Sequence, residues 1–274
     1  MSRFRWLEFD EPKGPESGPD RKSPDADEVA GVDMTDARQV LKLADDAYRL
    51  LEYEKALRLY SKTLSIDPNI EDAWAGQLRC LLDLGENPEA LTWAIKAQKM
   101  FPKNADVQSA RALALARQGR LQDAIAFSDG AMKNDRQSWF VWVARGEILA
   151  LAGSGNAEFC MMKARESERG SDWLVTLKTA QAYAVTPLAD KALPLFRKVL
   201  AGHTDLADVW YALAKLQLEL GFVGESCESI EHAVRLQPMN RTYSEFHCRV
   251  SNVSPLDRLG IWLRQWTKGW FRNP

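Results

Sequence analysis

The chain has 274 residues, 46% of them hydrophobic and 27% charged, with a formal net charge of −2. These are the proportions of an ordinary soluble chain, and so balanced a charge gives no argument for a nucleic-acid partner. The four cysteines, Cys80, Cys160, Cys227 and Cys248, are widely spaced with no C-x-x-C pair, which argues against a disulfide framework and reads as reduced thiols in a cytosolic protein.

Residues 1–36 hold four prolines and ten acids against five bases, a composition that predicts a disordered acidic arm. The opening MSRFRWLEFD is too charged and its apolar run too short for a signal peptide. No stretch approaches the ~18 uninterrupted apolar residues of a membrane span. The tip of the arm differs from the rest, because Phe4, Trp6, Leu7 and Phe9 crowd together. A few aromatics can supply most of a binding energy, so this tip reads as a docking peptide; folding back onto the chain's own helices explains the same pattern.

From Ala37 to Asn240 the sequence repeats with a period of 34 residues. Pro68, Pro102 and Pro238 are separated by 34 and four times 34, Trp74, Trp142 and Trp210 by twice 34, and Gly85, Gly119, Gly153 and Gly221 by 34 or twice 34. Such a period predicts stacked antiparallel helix pairs, each burying its apolar face against the next. Small residues such as Ala44 and Ala56 let paired backbones approach, and Tyr60 fills the gap to the following pair. Proline ends the second helix, and glycine supplies a left-handed turn after the first. The three equivalent tryptophans are expected to be largely buried.

In the most complete copy, Glu71–Asn104, Trp74, Gly85, Ala90, Ala97 and Pro102 stand at positions 4, 15, 20, 27 and 32. This pattern resembles the tetratricopeptide repeat, and about six copies fit between residues 37 and 240. The resemblance implies an all-α chain, a right-handed α-α superhelix (TPR solenoid) whose first helices (A) line a concave groove and whose second helices (B) back it. Two copies depart from the frame. In the fourth, Ala157 and Ala164 arrive one residue early; in the fifth, Pro187 replaces the turn glycine and Pro194 forces helix B to start late or bend.

Residues 241–274 continue differently. Tyr243, Phe246, Val250 and Val253 predict one more A-type helix over Arg241–Val253. Ser254-Pro255-Leu256-Asp257 then opens an amphipathic helix with Trp262, Trp266 and Trp270 on one side and Arg258, Arg264, Lys268 and Arg272 on the other. It reads as a lid on the last repeat, or as an interfacial anchor or partner site.

Function follows from the resemblance. Catalytic, cofactor and metal residues are expected to be none: His203, His232 and His247 are scattered, and His247 and Cys248, being adjacent, point apart on a helix. The glycines sit in turns at repeat spacing and cradle no phosphate. The groove positions implied by the family fall on Arg38, Lys42, Asp45, Tyr48 and Arg49, then Asp72, Arg79 and Asp83, then Asp106 and Arg117. Further along they fall on Phe140, Glu147, Lys178, Gln181, Tyr211 and Lys215. The basic and asparagine clamp by which some members hold a chaperone's terminal carboxylate is absent, since Leu41, Asp45, Gly76, Asp106 and Ala110 stand where it is needed. The expectation is a non-enzymatic cytoplasmic scaffold or adaptor for protein–protein interaction, holding a partner peptide or helix, with no nucleic acid. The alternative is a peripheral membrane protein held by its tryptophan-rich end.

Overall fold

The computed structural model describes residues 33–134, 137–167 and 172–253. Among them there is helix and no strand. The helices are α1 (Ala37–Arg49), α2 (Tyr53–Ile66), α3 (Glu71–Asp83), α4 (Asn87–Met100), α5 (Ala105–Arg117), α6 (Leu121–Ala131), α7 (Trp139–Leu151), α8 (Ala157–Glu166), α9 (Trp173–Ala184), α10 (Ala192–Gly202), α11 (Ala207–Glu219), α12 (Val223–Leu236) and α13 (Arg241–Ser251). The chain divides into two compact units, with α1–α6 in the first and α7–α13 in the second.

The seven odd-numbered helices begin at Ala37, Glu71, Ala105, Trp139, Trp173, Ala207 and Arg241, each 34 residues after the last. Five of these starts are fixed by the residue before them, as the side chains of Asp36, Asn104, Ser138, Asp172 and Asn240 accept from free backbone N–H groups of the first turn. The even helices keep the same step except where the sequence breaks it. α8 starts two residues late, at Ala157, after a longer link that holds Gly153 and Gly155 and not the shorter one that the early Ala157 suggests, and α10 is preceded by a 3-10 turn, Ala189–Lys191, so that Pro194 falls in its first helical turn, where proline is tolerated. The small residues at the helix crossings are fully enclosed: Ala56, Ala90, Ala124, Ala157, Ala192 and Ser226 have no exposed surface.

Gly85, Gly119, Gly153 and Gly221 all have positive φ, between 72° and 82°. In the first repeat the equivalent position is Leu51, which adopts φ 63° and so accepts a conformation that L residues disfavour. Its side chain is nearly buried, which offsets that cost. A Cβ at Gly119 or at Gly224, in α12, would meet no atom within 4 Å, so the backbone alone separates the two. Gly119→Ala is expected to lose about 1–2 kcal/mol, whereas Gly224→Ala gains up to about 0.5 kcal/mol by helix propensity. Urea unfolding followed by helical ellipticity checks the signs, and two shifts of the same sign would contradict this account.

The three equivalent tryptophans are buried to different degrees. Trp74 is buried, against Trp93, but Trp142 and Trp210 are only half-buried. The cause lies across the pair: Trp142 meets Phe159 edge-on and Trp210 stacks on His232, and both partners are exposed. The indole N–H groups of Trp74 and Trp210 nonetheless make equivalent bonds, donating to the carbonyls of Pro68 and Thr204, each six residues back.

Candidate partner-binding face

The A helices of the first unit, α1, α3 and α5, carry a line of charged and phenolic groups linked from repeat to repeat. Because each A helix starts 34 residues after the one before, position 12 of one helix meets position 13 of the next. Tyr48 therefore donates its hydroxyl to Asp83 at 2.7 Å, and Arg117 donates to the Leu82 carbonyl at 2.8 Å, both across a separation of 35 residues. Tyr60, reaching from α2, donates to Asp45 at 2.7 Å. Arg79 lies 3.6 Å from the Asp106 carboxylate, with its guanidinium 5.7 Å from the centre of the Tyr48 ring.

Tyr48, Tyr60 and Arg79 are held in their protonated forms. Burial, and then the Asp83 charge, push the Tyr48 hydroxyl far above the ordinary tyrosine range. Burial does the same for Tyr60; Arg79 partly opposes it and Asp45 reinforces it. Burial works to discharge Arg79, but Asp106, Tyr60, Tyr48 and Asp45 outweigh it and hold the guanidinium above its usual value. Both phenols thus remain donors at any physiological pH. Such a face can present oriented charge.

Around this line, Arg38, Lys42 and Asp72 are exposed and Arg49 is half-buried. In the second unit the groove positions are more enclosed. Phe140, Glu147 and Lys178 are buried, with Glu147 only 1% exposed, and Gln181 is half-buried. The Tyr211 ring packs on Tyr243 and Phe246 of α13, at 5.0 and 5.3 Å between centres, so the helix that follows the sixth pair covers it. Exposed Lys215 stays with Tyr211, its ammonium 4.6 Å from the ring centre. The structure therefore brings Asp45, Tyr48, Arg79, Asp83 and Arg117 together on one unit, and gives Phe140, Glu147 and Lys178 interior positions. Phe4, Trp6, Leu7 and Phe9, and Trp262, Trp266 and Trp270, lie outside the described residues.

Sequence reasoning assigned Tyr60 to packing and missed its bond to Asp45. It also missed Cys227, Glu231 and His247, which α12 and α13 bring together. The i,i+4 spacing of Cys227 and Glu231 was a legible signal; their proximity to His247 depends on how α13 docks.

Residues 50–114 match the family model described as tetratricopeptide repeat. With the helix register, this makes the molecule a helical-repeat protein of the class that serves as a scaffold for protein–protein interaction. Tetratricopeptide repeats are matched over residues 50–114, and the same 34-residue helix register continues over about six helix pairs. No curated protein matches it. Among solved structures, the chain is similar to a human IFIT1 dimer with PPP-AAAA, at 17% identity and TM-score 0.57, covering 84% of this chain and 58% of that one. It is similar to an APC/C Cut9-Hcn1 hetero-tetramer at 16% identity and TM-score 0.52, where 79% of this chain spans only 43% of the other. A tetratricopeptide repeat protein from Parabacteroides merdae matches at 16% identity and TM-score 0.51, covering 79% of this chain and 84% of that one. At these identities the likeness is one of fold.

Proposed function

We propose that the chain is a non-enzymatic adaptor that holds an extended peptide or a helix of a partner protein along the α1, α3 and α5 face of its first unit. The supporting observation is the fixed line of mixed charge formed by Asp45, Arg79, Asp83, Asp106 and Arg117, flanked by exposed Arg38, Lys42 and Asp72. Partly buried ion pairs add little to stability because desolvation offsets their attraction. Their value lies in orienting charge so that a partner's backbone and side chains are read in one register. Benzoylphenylalanine placed at Lys42 or Asp72, on the A helices, is expected to cross-link one partner segment. The same probe at Thr92 or Gln122, exposed on α4 and α6, is expected to capture none of it. The opposite pattern would place the partner on the B helices and end this reading.

A second reading, attachment to a membrane surface, is supported by the sequence pattern of Trp262, Trp266 and Trp270 against basic residues. No helix among the described residues is long and apolar enough to cross a membrane. Co-sedimentation with anionic vesicles should then be strong for the full chain and lost for a chain ending at Val253. Equal sedimentation of the two would remove this reading.

A further inference from the structure

We infer that Cys227, Glu231 and His247 form a zinc site that clasps α13 to α12. Cys227 and Glu231 are one helical turn apart on α12 and share a face. His247 comes from α13, whose position is fixed by buried Tyr243, Phe246 and Val250, packed with Ile230 and Ala233 of α12. The imidazole is therefore delivered to the cysteine and glutamate by a rigid docking.

The distances suit a small tetrahedral ion. Cys227 Sγ lies 3.7 Å from Glu231 Oε1, and His247 Nε2 lies 3.9 Å from the same oxygen. All three ligand atoms are within 4.8 Å of one another. Zinc bonds of about 2.0–2.3 Å in a tetrahedron separate ligand atoms by roughly 3.3–3.8 Å. Two edges of the triangle already stand near that value, and the third is no longer than 4.8 Å.

The donor set narrows the ion. A thiolate with an imidazole disfavours magnesium and calcium, which take oxygen ligands, and suits zinc. Three protein ligands leave a fourth position, which water can fill because Glu231 and His247 are partly open to solvent. Binding releases the thiol proton, so affinity rises with pH. Since the ligands span two helices, the ion stabilises only the docked form of α13.

Cobalt(II), a spectroscopic substitute for zinc, tests the site in the full chain. One equivalent is expected to produce tetrahedral ligand-field bands and a thiolate charge-transfer band, all displaced by zinc. Cys227→Ser should abolish the charge-transfer band, and Glu231→Gln and His247→Gln should each weaken binding by at least about tenfold. Cys248→Ser, at the exposed neighbouring thiol, should leave the spectrum unchanged. Zinc should raise the Tm of the parent and of Cys248→Ser, but not that of Cys227→Ser. Helical ellipticity before metal addition reports whether each variant folds. Octahedral bands, a spectrum that survives Cys227→Ser, or one lost with Cys248→Ser would overturn the assignment.

Discussion

Trp74→Ala is expected to destabilise the first unit by about 3–5 kcal/mol, the range for emptying a buried tryptophan site. The indole is 1% exposed, rests against Trp93, which is itself 8% exposed, and donates to the Pro68 carbonyl at 2.9 Å. Removing it opens a cavity between α3 and α4 and frees the carbonyl that fixes the turn before α3. The same substitution at Trp142 or Trp210 should cost less, because each is half-buried and packs against an exposed neighbour. The truncated area is smaller and water can fill it. Urea denaturation of the three variants checks the order. Equal losses would mean that the repeat position alone sets the burial of the tryptophan.

That contrast shows what the sequence could and could not carry. The start of every A helix was legible from the 34-residue step and the small residues where backbones meet, and five of the seven also carry a capping residue. The late start of α10 was legible for the same reason, as two prolines act on their own backbone, whereas the late start of α8, after a lengthened glycine link, was not. Side-chain exposure was not local. Trp142 and Trp210 occupy the frame position of Trp74, yet their burial is decided by Phe159 and His232 on another helix.

The links between A helices fall between these cases. Tyr48 with Asp83, Arg117 with the Leu82 carbonyl, and Tyr243 with Asp208 are all 35 residues apart, one period plus one. That separation follows from equal helices stacked in one direction, so a scan for donors and acceptors at period plus one would have found all three pairs. Asp45 with Tyr60 joins two helices of one pair, and Cys227 with His247 joins the last pair to α13. Neither obeys the repeat step, and both emerged only from the fold.

Gly76→Ala should cost about 1–3 kcal/mol through overpacking. A Cβ built there would lie 2.3 Å from Cε1 and Cζ of the Tyr60 ring. Tyr60 cannot swing aside freely, since its ring has no exposed surface and its hydroxyl is held by Asp45. Tyr60→Leu alone should also destabilise, by leaving part of the ring's space empty. In the double variant the new methyl enters that space, so the combined loss should fall short of the sum by about 1–3 kcal/mol. An additive pair would show that α2 and α3 do not meet at this contact. The substitution also reaches the charged face, because displacing Tyr60 removes the donor that orients Asp45 at its α1 end. Cross-linking from Lys42 should therefore weaken in Gly76→Ala while the chain remains folded, whereas a partner bound on the B helices would be unaffected.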